Sequence, residues 1–241
     1  MDFEGGWTAT GDVPDAGADS GTSGASGKSG DAEATESPFA LVQQGTKEQT
    51  SKTVTIAMGQ TGTGNLIVVV IGQGTNRDTT VTSIVDDAPG GSNAYVSTRQ
   101  RSIDTADVNT LEIWYAANIR PGATSATVTM QDSVRVMAWV MEFSGPSKSE
   151  TFDTGSVLNN QPRGTTIIAP VVIPSTPTAL VISAAMSAGE ISELNAGSPF
   201  QRLPIVSGNN VAYFFATKPG SYSAVWSSEN ATWNASTVAF K

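Results

Sequence analysis

Apolar positions along this chain recur at strand spacing and nowhere at helix spacing. In TVTIAM (53–58), TTVTSIVDD (79–87) and TSATVTM (124–130), β-branched or apolar residues alternate with polar ones, the period of a strand with one buried face. In NLIVVVIG (65–72) and ALVISAAMS (179–187) the apolar run is short and continuous, which predicts strands covered on both faces. The same criteria predict strands at TLEIWYAANI (110–119), SVRVMAWVMEFSG (133–145), GTTIIAPVVI (164–173), NVAYFFAT (210–217), SYSAVWSS (221–228) and ASTVAFK (235–241). Turn chemistry separates them, as in GTG (62–64), APGGSN (88–93), RPGA (120–123) and KPG (218–220). Many short strands at this spacing predict an all-β fold, a two-sheet antiparallel β-sandwich of the jelly-roll-like kind over residues 38–241.

Alternation also assigns faces. Leu111, Ile113 and Tyr115 share a face that reads as core, and Glu112, Trp114 and Ala116 share the more exposed one, so Trp114 and Tyr115 cannot form one flat platform. In RVMAWVMEFSG, Arg135, Met137, Trp139, Met141 and Phe143 read as the bulky core row, with Val134, Val136, Ala138, Val140 and Glu142 as a small outer row. A strand, a Gly/Thr/Pro turn and a longer apolar strand occur twice, as TVTIAMGQTGTGNLIVVVI and as TIIAPVVIPSTPTALVISAAM. A duplicated unit and two independent strand pairs would both read this way.

Two gaps in composition restrict the chemistry. The 241 residues include no cysteine and no histidine, which removes disulfides, thiolate nucleophiles, Ser-His-Asp and Cys-His constellations and nearly all zinc and copper sites. Carboxylate and hard-ion chemistry remains. Residues 1–37 hold Asp2, Glu4, Asp12, Asp15, Asp19, Asp31, Glu33 and Glu36 against Lys28 alone, whereas the rest of the chain is close to neutral. Within that acidic arm, GDVPDAGADSGTSGASGKSG (11–30) has too little apolar area to offset its ordering entropy and reads as a flexible or extended tether. Ahead of it, FEGGW (3–7) carries Phe3 and Trp7 as a short docking segment. A net charge of −9 without a basic cluster argues against nucleic acid, and no apolar run is long enough for a membrane span. The opening MDFEGGWTATGD lacks the basic start and apolar stretch of a secretory signal.

From FALVQQGTKEQTSKTVTIAM onward, the order of TGNLIVVVIG, VTSIVDDAPGGSNAYV, LEIWYAANIRPGATSATVTM, RVMAWVMEFSG and WNASTVAFK resembles a jelly-roll-like sandwich module of bacterial surface, secreted and phage-associated proteins. The resemblance covers about residues 39–241 and implies a non-catalytic part. Its motifs are core strands and turns, so it carries fold and almost no site. VDDAPGGSNAY departs from the family pattern as a longer loop with an extra aspartate.

Asp86, Asp87 and Asn93 supply hard oxygen donors on one glycine-rich turn, suited to a structural calcium ion, although DD before a Gly/Pro turn is also ordinary turn chemistry. Trp114, beside Glu112, and the late aromatics Tyr213, Tyr222, Trp226 and Trp233 are the candidate rings for stacking a sugar, against a plain role in a core or minicore. Glu112 and Glu142 invite comparison with the carboxylate pair of a glycosidase, but nothing in the sequence brings them together. The expectation is therefore a non-catalytic structural or display protein of a virion or extracellular surface assembly. It would act through its arm by self-association or with other structural proteins. A carbohydrate-binding module, calcium-supported or not, is the alternative.

Overall fold

The computed structural model describes residues 38–241 apart from 75–77, 108 and 147–148. The arm 1–37, with Phe3 and Trp7, lies outside the described residues. The strands are β1 (Ala40–Ala57), β2 (Leu66–Gly74), β3 (Val81–Asp86), β4 (Val96–Ser97), β5 (Ser102–Asp104), β6 (Asn109–Ala116), β7 (Ser125–Ser144), β8 (Phe152–Ile168), β9 (Ala179–Ser187), β10 (Ile191–Leu194), β11 (Gln201–Arg202), β12 (Asn210–Ala216) and β13 (Val225–Phe240). All pair antiparallel and form two sheets that pack as a sandwich, as the alternation predicts. Among the described residues no helix is long and apolar enough to cross a membrane.

Each sheet is cut from one continuous part of the chain, and both have the same connectivity. The first runs β1-β7-β2-β6-β4, with β3 on β7 and β5 on β6; in the second, β8-β13-β9-β12-β11 are successive neighbours and β10 lies on β13. The echo between TVTIAMGQTGTGNLIVVVI and TIIAPVVIPSTPTALVISAAM thus falls on equivalent elements, the end of β1 with β2 and the end of β8 with β9.

The long strands produce three cores. In β7, residues 134–144 run between β1 and β2, whereas residues 125–130 run between β1 and β3. A register break at Ser51/Thr53 of β1 marks the change, and β13 breaks register on β8 between Ser227 and Trp233. Such irregularities bend and twist a strand. The bent ends cover the outer face of their own sheet, so Val54, Ile56, Val128 and Met130 pack on Ile67, Val69 and Ile71 in the first half. Trp226, Ile167 and Ile191 pack with Val181, Ala185 and Ala235 in the second. Between the sheets lies the central core, with Val68, Ile113, Trp139, Met141, Phe143, Ile182, Tyr213, Val238 and Phe240.

This arrangement corrects three readings of the sequence. The strands expected at 124–130 and 133–145 are one strand, β7, and those at 221–228 and 235–241 are one strand, β13; the polar pairs Gln131-Asp132 and Glu229-Asn230 lie within bent strands, not at their ends. Strand β1 begins at Ala40 and β8 at Phe152, far upstream of the predicted starts. Both stretches are polar because each lies at a sheet edge, where charged and amide side chains suit solvent and discourage edge pairing. Finally, the row Val134, Val136, Ala138, Val140 faces away from the central core as expected, yet it is buried beneath the bent ends of β1 and β7, and Arg135, read with the core row, is instead exposed and paired with Glu48.

Candidate functional site

The shared register makes the two halves comparable position by position. Val68 pairs with Tyr115 and Ile182 with Tyr213, so the tyrosines occupy equivalent places; two residues on, Ala117 corresponds to Phe215. Across the next strand pair, Val96 faces Tyr115 where Gln201 faces Tyr213. In the second half this corner is closed. Tyr213 Oη donates to Gln201 Oε1, and Phe215 stacks on Phe39 at 6.4 Å and 9° while meeting Phe143 edge-on at 6.1 Å.

In the first half the same corner is open. Ala117 is too short to fill it, Val96 is 50 % exposed and has no side-chain acceptor, and a cleft of about 540 Å³ remains. Tyr115 and Phe152 form its wall, their rings 6.0 Å apart and 20° from parallel, backed by Phe240 at 5.4 Å from Tyr115. Tyr115 Oη has no hydrogen-bond partner among the described residues. The rim carries Glu150, 84 % exposed, and Lys241, whose Nζ lies 3.6 Å from Glu150 Oε2 and 3.9 Å from Asp153 Oδ1. Asp153 is itself engaged, accepting from Ser175 N at 2.6 Å and Ser175 Oγ at 2.5 Å.

The predicted calcium donors split. Asp86 accepts from Ala88 N (3.2 Å), Asn93 N (3.0 Å), Asn93 Nδ2 (2.8 Å) and Tyr95 Oη (3.0 Å), while Asn93 Oδ1 accepts from Arg120 N at 2.7 Å. Burial, with the Asp86 charge beside it, raises the Tyr95 phenol well above the usual range. Asp87 turns the other way and holds the start of β7, accepting from Thr124 N and Thr124 Oγ1, each at 2.6 Å, and from Ser125 N at 2.9 Å. These bonds, that from the Thr124 hydroxyl first, lower the Asp87 carboxyl below its ordinary value. Among the described residues no three His, Cys, Asp or Glu side chains converge to hold a metal ion; an ion on this turn would displace the bonds just described.

Glu112, read as exposed, is only 7 % exposed, because β3 and the bent end of β7 cover its face of the sheet. It accepts from Val81 N at 3.1 Å and Trp114 Nε1 at 3.1 Å, with Arg101 Nε 3.6 Å away. Burial raises its pKa, with these hydrogen bonds opposing. Trp114 is half-buried against the same outer core. Glu142 accepts from Gly62 N (2.7 Å), Asn65 Nδ2 (2.6 Å) and Gln43 Nε2 (2.5 Å). Glu142 pairs with Ile67 and Glu112 with Ile71, four residues apart along β2. At about 3.3 Å per residue their backbones are separated by at least about 13 Å along the sheet.

Among the late aromatics, Trp226, Trp233 and the half-buried Tyr222 belong to the outer core of the second sheet, and Tyr213 to the central core. The structure therefore places Tyr115, Ala117 and Phe152 at the open cleft, none of them singled out from sequence as site residues. A usable signal was present: YAANIRPGATSA (115–126) and YFFATKPGSYSA (213–224) align without a gap, and their comparison sets Ala117 against Phe215. Comparisons of the chain with protein-family models, curated proteins and solved structures find no match.

Proposed function

We propose that this chain is a non-catalytic β-sandwich module serving as a structural or display part of a virion or extracellular surface assembly, joined to its neighbours through the acidic arm. The observation that carries this reading is the use of Glu142. This 1 % exposed carboxylate ties the β1 edge and the 59–65 turn to β7 by hydrogen bonds from Gln43, Gly62 and Asn65. Asp86 and Asp87 brace the neighbouring loops in the same manner. Carboxylates so engaged stiffen a frame, as suits a part that presents a surface. Size exclusion with light scattering on the full chain and on a chain lacking residues 1–10 tests the proposal. Assemblies larger than one chain, lost on the deletion, are expected; a monomer in both cases overturns it.

The open cleft favours a second reading, recognition of carbohydrate by the module. A phenol without a hydrogen-bond partner among the described residues, beside an aromatic wall, offers both kinds of contact that a sugar makes. Retention of the full chain on a glycan array tests this reading.

A further inference from the structure

We infer that the cleft bounded by Val96, Tyr115, Ala117, Phe152, Glu150 and Lys241 is a binding site for the pyranose end of a saccharide. The inference deepens the carbohydrate reading above and rests on it.

The second half of the molecule supplies the comparison. The same backbone frame there carries Phe215 in place of Ala117 and Gln201 in place of Val96, and the corner is filled by rings and closed by the Tyr213–Gln201 hydrogen bond. The frame therefore accommodates a phenylalanine at this place. Its replacement by alanine leaves a cleft of about 540 Å³, inside the range of about 300–1,000 Å³ over which small-molecule sites occur.

The lining selects the class of ligand. Near-parallel rings of Tyr115 and Phe152 form an apolar wall, and the electron-rich face of an aromatic ring attracts the polarised C–H groups on one face of a pyranose. Tyr115 Oη, the Glu150 carboxylate and the Lys241 ammonium supply donors and acceptors for the hydroxyls on the ring edge. A wholly apolar ligand would cover Tyr115 Oη without offering it a hydrogen bond. Among the described residues, a phosphate or other anion in the cleft would meet the Glu150 carboxylate, and Lys241, the cation of the described lining, is already shared with Glu150 and Asp153. An extended peptide has little edge to add to, since β4 is only Val96–Ser97.

The test uses the full chain and two readouts, retention on a glycan array and ¹H–¹⁵N spectra titrated with the saccharide that the array selects. Shifts are expected at residues 94–96, 115–117, 150–152 and 241. Ala117→Phe, which copies the second half, is expected to abolish retention while its melting temperature stays near that of the parent. Tyr115→Phe is expected to weaken binding about tenfold, the worth of one hydrogen bond of about 1.4 kcal/mol. Tyr222→Ala, on the outer face of the second sheet, is expected to leave binding unchanged. If glycan retention survives Ala117→Phe, or shifts cluster away from the cleft, the site assignment falls and the carbohydrate reading stands. If the parent chain is retained by no glycan, the reading falls and the site with it.

Discussion

Tyr115 meets Phe240 edge-on, with ring centroids 5.4 Å apart and planes at 64°, and Phe143 meets Tyr213 in the same way at 5.6 Å and 65°. The strand register makes this one contact formed twice: Tyr115 corresponds to Tyr213, and Phe240, paired with Leu180, corresponds to Phe143, paired with Leu66. Each contact takes one ring from each sheet with the roles exchanged, the reciprocal pattern of a two-fold interface, here within one chain. Phe143→Ala and Phe240→Ala are therefore expected to destabilise by similar amounts, about 3–5 kcal/mol each. Urea unfolding of the two variants checks this, and a near-neutral effect of either would refute the equivalence.

Removal of the Glu142 carboxylate leaves Gly62 N and Asn65 Nδ2 without their acceptor and Gln43 Nε2 with the Gly59 carbonyl at 3.0 Å. Glu142→Ala is expected to cost about 3–5 kcal/mol, a fall in melting temperature of roughly 6–20 °C for a domain of this size. Hydrogen exchange should show the 59–65 turn opening first. A variant that melts with the parent would mean that the bonds contribute little.

Glu112 gives a pH dependence of one sign. Burial, opposed by its hydrogen bonds, raises its pKa in the folded chain above the ordinary value near 4.5. The folded chain then holds this proton more tightly than the unfolded chain does, so the contribution of Glu112 to stability falls as pH rises from 4.5 through the raised value. In urea titrations across that window, Glu112→Gln is expected to gain on the parent as pH increases. A constant gap between the two would contradict the assignment.

Asp87 gives the opposite sign. Hydrogen bonds from Thr124 and Ser125 lower its carboxyl below the ordinary value near 3.8. The stabilisation is present above that value and is lost as pH falls toward the lowered one. Asp87→Asn should therefore differ most from the parent near neutrality and converge with it on acidification below pH 3.8. Thermal melts over an acid series read this directly; divergence at low pH would exclude the mechanism.

The alternation of side chains was enough to place Leu111, Ile113 and the Met137–Phe143 row in the central core and Tyr115 against its margin, because that pattern depends only on the strand period and on which residues avoid water. It did not disclose that Glu112 and the Val134–Val140 row are covered as well. Their burial depends on the bends in β1 and β7, which bring residues distant in sequence over the outer face of the same sheet. The polar upstream parts of β1 and β8 escaped prediction for a related reason: an edge strand is held by backbone hydrogen bonds to one neighbour, and its side chains need not be apolar.

From its sequence alone, this protein is determined to be an antiparallel sandwich without thiol or imidazole chemistry, since strand period, turn residues and composition are local properties. Which rings pack inside, which carboxylates hold loops and where a corner stays open were decided by tertiary structure. Those outcomes depend on which two positions meet across the sheets: Phe215 against Phe39 closes one corner, and Ala117 beside Phe152 leaves the other open.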